Sequence, residues 1–361
     1  MMLARHAAHA PSNVETLLGL FSAPATASEL SAADWNVLLP VARRLGGLAR
    51  LHACLEDAGQ LASVPPRVVR HLYAARELTN ARTRALRWEL RCLTQAVAEP
   101  APIALKGMAY QLLGLAAGRG RLSSDLDVLY PYSAMTAVET TLFASGWVHQ
   151  ALKPYDDRYY RQWMHELPAF VHPLRGMTVD VHHAILPRTA RLHPDSARLI
   201  AAAHTLDTAD GVRVLCPHDL LLHAAAHACY DGAFEHPLRD LLDIHQLCME
   251  LGDSAFWREL PARALELDLG RPLWYALSLA RQALGTPVPD AVFTNLRPAA
   301  PSALSAWLLL RLVSSVLLER PGAHPARWCL FIRSHWLRMP PWMLLPHLVR
   351  KTWRRLRARS S

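Results

Sequence analysis

The sequence predicts an α+β protein, a short-stranded sheet held between two helical regions, and three observations carry that expectation. Between about residues 101 and 216, short apolar or alternating runs recur between turn residues, the period-2 signature of strands. Before them, Pro65-Pro66 opens a long stretch to about Val97 in which Leu72, Leu78, Leu86, Leu90 and Leu93 contribute an apolar stripe opposite many arginines. After them, from Pro217 onward, the pattern is helical throughout. A hydrophobic content of 52% with 19% charged residues describes an ordered chain, and 361 residues leave room for two or three domains. The expected divisions are 1–100 (helical), 101–216 (sheet-bearing core), 217–325 (helical) and 326–361 (a basic amphipathic tail).

Taken in order, residues 12–60 read as two or three amphipathic helices, with Ser28 and Ser31 as N-caps and Gly59 as a stop. The core has candidate strands at 102–105, 125–130, 147–151, 168–172, 178–183 and 212–215, and helices at 108–116, 133–145 and 195–203. Between strands lies an aromatic and basic cluster of Tyr155, Arg158, Tyr159, Tyr160, Arg161 and Trp163, suited to loop packing or to stacking on a base. Pro217 fits the first position of a helix, with Asp219 in its first turn near the positive end of the dipole. Asp219, His223, His227 and Asp231 then form a polar stripe at every fourth position, followed by Arg239-Asp240.

The stretch Arg121-Leu-Ser-Ser-Asp-Leu-Asp-Val-Leu129 is the chemical centre of the sequence. Alternation puts Asp125 and Asp127 on one strand face, roughly 6.5–7 Å apart along the strand. Two unit charges ~4 Å apart repel by about 4 kcal/mol at an effective dielectric near 20, so converging carboxylates need a cation or a shared proton. On that ground, changing either acid to Asn is expected to leave the fold intact or more stable. A solvated strand face carrying two acids is the plain alternative. Upstream, the apolar run 102–105 ends in Lys106-Gly107 before a helical stretch, a junction that frees backbone N–H groups for phosphate. Downstream, Thr178-Val-Asp-Val-His182 alternates again, and Asp180 on a neighbouring strand would complete a two-metal carboxylate cage.

These segments, Leu105-Lys106-Gly107, Arg121-x-x-Ser124-Asp125-Leu126-Asp127 and Val179-Asp180-Val181-His182, resemble the uncharacterised bacterial nucleotidyltransferase family of the DNA polymerase β-like superfamily, over roughly residues 100–250. The resemblance implies a small mixed sheet with flanking helices, two Mg²⁺ ions (Mn²⁺ as the alternative) and transfer of a nucleoside monophosphate from NTP with release of pyrophosphate. It also implies site roles. Asp125, Asp127 and Asp180 are expected as catalytic metal ligands, and Lys106, Gly107, Arg121, Ser124, His227 and Asp240 as nucleotide-binding residues. His182 is expected as the partner that steadies Asp180. One departure stands out: the superfamily's Gly-Gly or Gly-Ser pair, about a dozen residues before the Asp-x-Asp, is replaced here by Lys106-Gly107, 18 positions before Asp125.

The net charge of +9 is concentrated at one end. Ten basic residues and no acid lie from Arg320 to the terminus, leaving 29 basic against 30 acidic residues elsewhere. A broad nucleic-acid-binding face is therefore not expected on the catalytic region. Trp328, Trp336, Trp342 and several leucines interleave with that charge, the composition of a helix lying on an anionic membrane surface, here over 327–359. RNA contact and a plain solubilising tail are the alternatives. No uninterrupted apolar run reaches ~18 residues, and Glu15 argues against reading residues 17–27 as a signal peptide. A cytoplasmic enzyme is expected, peripheral on the inner membrane where the tail attaches. Six scattered cysteines with no Cys-x-x-Cys suggest neither a zinc ribbon nor a redox pair.

Relatives of the resembled family occur beside cell-surface polysaccharide genes, which would suit such a location. Two rival readings stay open: a helical metal-dependent phosphohydrolase built on His182, His204, His218, Asp219 and Asp243, and a non-catalytic membrane-surface adaptor acting through the tail. The sequence leaves the acceptor open among protein hydroxyl, tRNA end, sugar and small metabolite, and leaves the nucleotide base and oligomeric state unassigned.

Overall fold

Strand alternation and helix capping account for most of the architecture seen in the computed structural model, which describes residues 12–151, 154–207, 211–231, 234–320 and 322–340. The side chains of Tyr155, Tyr159 and Asp231, and the part of the basic tail beyond residue 340, lie outside the described residues.

Seven strands form one mixed sheet: β1 (Ile103–Ala104), β2 (Asp125–Leu129), β3 (Val148–His149), β4 (Phe170–Val171), β5 (Thr178–His182), β6 (His204–Thr205) and β7 (Arg213–Val214), in the spatial order β3-β4-β5-β2-β1-β7-β6. The two long strands, β2 and β5, are central neighbours and run parallel; β1 pairs antiparallel to β2 and parallel to β7. The sheet's inner face is apolar: Leu126, Val128, Val179 and Val181 are fully buried, as period-2 alternation demands.

Helices flank this sheet as expected for an α+β fold. Ser31 caps the helix Ala32–Arg44 through a capping box with Asp34. Ser28 does not cap; it lies in a 3-10 turn and donates its hydroxyl to the Ala25 carbonyl. Gly59 takes a positive φ of 65° just after the helix Leu48–Asp57, where a left-handed residue ends the helix without a Cβ clash. The helix Pro66–Ala96 starts on a proline, whose fixed φ suits the first turn. It packs beside β2, where Arg82 donates to the carbonyls of Ser123 and Ser124 and buried Glu89 holds Trp147 and Arg175. On the other side the helices Pro217–Ala226, Pro237–Leu251 and Gly270–Leu284 pack on one another.

Two elements depart from the sequence expectation. The aromatic and basic cluster is not a loop but the helix Pro154–Trp163, in which Arg161 pairs with Asp157 one turn earlier and with Glu139. The edge strand β6 was not foreseen; its two residues are exposed and too short to show a period.

Candidate functional site

Register places the acids. In the parallel pairing of β2 with β5, Asp127 lies opposite Asp180 and Asp125 opposite Thr178, so all three aspartates project from one face of the sheet. Leu129 lies opposite His182 in the same register. A segment absent from the sequence expectation runs beside β5 on the other side. Glu166 bridges to His182, and the Leu167 amide donates to the Val181 carbonyl at 2.9 Å. Glu166 thereby becomes a fourth carboxylate at the site, 3.4 Å from His182 Nδ1. Neither it nor His165 carried a sequence signal, because no periodic strand surrounds them.

The carboxylates are not equivalent. Asp127 is 7% exposed, and its Oδ1 accepts from Lys106 Nζ at 2.8 Å and pairs with His182 Nε2 at 3.0 Å. Burial works against its charge, but Lys106 and His182 hold its carboxyl well below the usual range. Asp180 has the opposite balance. Burial, then the charges of Asp127 and Glu166, push it up to about 7. For His182 burial opposes the cation, but its bonds with Asp127 and the charge of Glu166 raise its pKa. Without a divalent cation, Asp127 keeps the charge while Asp180 is the group driven to take up a proton.

This asymmetry sets a pH dependence. Folded, Asp180 binds a proton up to about pH 7; its ordinary value is 3.8. Between those limits the native state binds more protons than the unfolded chain, so the stability due to this group falls as pH rises through that window. In EDTA, Asp180→Asn should melt with the wild type near pH 4. By pH 8 it should be more stable by about 2–3 kcal/mol, allowing for the partial exposure of the carboxyl. Differential scanning calorimetry across pH 4–8 checks this, with a gap on the order of 3–4 °C expected for a chain of this size.

Behind the acids lies a buried ionic brace. Lys106 opens the short helix Lys106–Leu112 with a positive φ of 46°, the strained corner through which its side chain reaches Asp127. At Gly107 a Cβ would overlap the Arg121 guanidinium and the Ser123 hydroxyl, so only glycine lets that corner close. Arg121, 6% exposed, donates to Ser123 Oγ at 2.6 Å and to Asp243 Oδ2 at 2.8 Å. The other Asp243 oxygen takes buried Arg50, which also donates to the Ala117 carbonyl at 2.7 Å.

The remaining predicted residues are placed as follows. Ser124 is exposed at the entrance of β2, its carbonyl held by Arg82. His227 begins a π-helical turn, His227–Asp231, that continues the helix Pro217–Ala226, a distortion that often marks functional positions. One turn earlier, buried His223 is kept neutral, first by burial and then by the charges of Lys106 and His227. Asp240 pairs with its neighbour Arg239 at 3.1 Å and adds its charge to the Arg121 end of the brace. The residues of the phosphohydrolase reading are dispersed: Asp219 is tied to Arg263 at 2.7 Å, His218 stacks on Phe256, His204 is exposed on β6, and Asp243 is engaged by two arginines.

The donor set fits a divalent cation. Four carboxylates with excess negative charge suit a hard, oxygen-seeking ion. Among the described residues, His165, Glu166 and His182 also bring ligand atoms within 4.8 Å of one another, on the flank of the same face.

A family model described as "Uncharacterised nucleotidyltransferase" matches residues 31–285. That span contains the whole sheet and reaches beyond the 100–250 of the sequence resemblance, taking in the helices from Ala32 onward. No curated protein and no solved structure matches the chain. With acids, lysine corner and brace all inside a match that covers well over half of the sequence, the chain belongs to this family of nucleotidyltransferases.

Proposed function

We propose that the protein transfers a nucleoside monophosphate from NTP to an acceptor hydroxyl, with release of pyrophosphate, at the face bearing Asp125, Asp127 and Asp180. The observation that carries this reading is the parallel register of β2 and β5, which sets Asp127 against Asp180 with Asp125 two residues away on the same face. These three residues would hold Mg²⁺ or Mn²⁺, which when bound supplies positive charge to the transferring phosphoryl group and its leaving group. Asp180, set opposite Asp127 across the two strands, orients the acceptor hydroxyl and takes its proton. Lys106 neutralises Asp127 before substrate arrives and offers its ammonium to the phosphates afterwards. The Gly107 amide lies at the same corner, and Arg121 acts through it, fixing Ser123 from behind. Ser124 stands at the entrance of β2; His182 bonds Asp127 instead of the Asp180 expected from the sequence and reaches Asp180 only through its charge; His227 and Asp240 brace the nucleotide side from the helical region.

Incubation with each α-labelled NTP, Mg²⁺ or Mn²⁺ and a cell extract should label one acceptor class and release pyrophosphate. Release of phosphate with nothing labelled would overturn the reading.

A second reading concerns location. No helix among the described residues is long and apolar enough to cross a membrane. The helices Ala303–Leu317 and Ala323–Arg338 nevertheless expose Leu304, Trp307, Leu308, Trp328, Ile332 and Trp336, next to a terminus with six further basic residues beyond 340. We propose that this end rests on an anionic membrane surface, at roughly 1 kcal/mol per basic residue near it. The full chain should float with phosphatidylserine or phosphatidylglycerol vesicles, and a chain ending at residue 340 should bind them at least tenfold more weakly. Equal binding by both would rule out the role of the terminus.

A further inference from the structure

Beside the entrance of β2 is a cavity of about 430 Å³ whose wall carries Arg43, Arg44, Arg50, Arg82 and Arg239, together with Ser124. This is a volume typical of ligand pockets, and no carboxylate lines it. The five cations come from four separate helices: Ala32–Arg44, Leu48–Asp57, Pro66–Ala96 and Pro237–Leu251. Three have carboxylate partners set back from the cavity: Arg44 with Glu319, Arg50 with Asp243, Arg239 with Asp240. Two do not, among the described residues. Arg43 reaches only the His71 ring at 3.4 Å, and Arg82 spends its donors on the Ser123 and Ser124 carbonyls. Buried Arg50 also leaves its Nε without a hydrogen-bond partner.

Arg43 and Arg82, with no acid of their own among the described residues, add uncompensated positive charge to a wall that holds no carboxylate, and an anion in the cavity offsets it. The planar fork of arginine fits phosphate oxygens better than a lysine point charge does. We propose that this cavity is a phosphate-binding subsite serving the reaction at Asp125, the residue that directly follows Ser124. The proposal deepens the nucleotidyl-transfer reading and rests on it for the phosphate's role, but the binding itself does not depend on that reading.

Two sources share this chemistry: the β- and γ-phosphates of the nucleotide, or a phosphate carried by the acceptor. The surroundings bear on the choice. Past Arg43, Gly46 and Leu122 the cavity continues into an apolar hollow of about 340 Å³ that includes Ala75 and Leu78 and touches neither Ser123 nor Ser124. A nucleotide carries its base and its terminal phosphates on opposite sides of the reacting phosphorus. With its phosphates in the arginine cavity, its base could not reach the hollow, whereas an acceptor with a phosphate on an apolar body fills both.

The test is calorimetric binding of sodium tripolyphosphate to the full chain in EDTA at low salt. Wild type and Asp127→Asn should bind alike. The double variant Arg43→Gln/Arg239→Gln should bind at least tenfold more weakly, and Arg43→Lys/Arg239→Lys should recover part of the loss; melting curves verify that each variant is folded. No binding by the wild type, or wild-type affinity in the Gln variant, overturns the proposal. Repeating the titration with Mg²⁺ and saturating α,β-methylene ATP separates the sources: displacement assigns the subsite to the nucleotide tail, and simultaneous binding assigns it to the acceptor's phosphate. A protein that labels nothing with any NTP, yet shows this binding pattern in EDTA, would fail the nucleotidyl-transfer reading while keeping the subsite.

Discussion

Asp125→Asn should lower nucleotidyl transfer at least about a thousandfold, the loss of some 4 kcal/mol of transition-state stabilisation, while leaving the fold in place. The residue is the least buried of β2, at its start, where a neutral isostere costs little stability. Asp127→Asn should be equally inactive for a different reason and with a different thermal signature. Its carboxylate is the counter-ion of Lys106 and His182 in a nearly dry position, and removing one partner of such a pair costs on the order of 3 kcal/mol. The two variants, compared by pyrophosphate release and by melting temperature, separate a carboxylate needed only for the proposed chemistry from one that also holds the site together. Activity within tenfold of wild type in Asp125→Asn would count against the catalytic assignment.

The largest stability effect is expected away from the acids, at Asp243. It is 4% exposed and pairs with both Arg50 and Arg121, one oxygen to each. Asp243→Ala strands two buried guanidinium groups and should cost about 3–5 kcal/mol, lowering the melting temperature by roughly 4–7 °C for a chain of 361 residues. Because Arg121 positions Ser123 next to Gly107, the folded fraction of this variant should also turn over more slowly. Chemical denaturation with the slope checked for two-state behaviour reads the first effect, and kcat at a temperature well below the transition reads the second.

How far the sequence reaches can be judged from these same residues. Asp125, Asp127 and Asp180 were legible because each sits in a five-residue strand with an uninterrupted apolar alternation, and the Lys106-Gly107 corner because a short apolar run ends there. The expectation that any acid-to-amide change relieves repulsion was legible only in part. Spacing says that charges meet, but not which of them finds a counter-ion. Lys106 and His182 settle on Asp127, so the repulsion is borne by Asp180. Glu166, the Arg50–Asp243–Arg121 brace and the arginine cavity were not legible at all. Glu166 sits in an irregular segment with no periodic pattern, while the brace and the cavity join residues tens to nearly two hundred positions apart, most of them on helices whose polar faces looked merely solvated. The helix Pro154–Trp163 was missed because it is strongly polar overall and contains no Ala, Leu, Ile, Val or Met to mark a helical period.

The pairing of β2 with β5 also determines where the chain tolerates a change of length. Among the described residues between Leu129 and Thr178 lie short helices, the strands β3 and β4 at one end of the sheet and turns, and in the turns an added or lost residue is absorbed by a connection. Within Asp125–Leu129 or Thr178–His182 the same single residue would rotate every following side chain to the other side of its strand, sending a valine into the water and an aspartate into the oil.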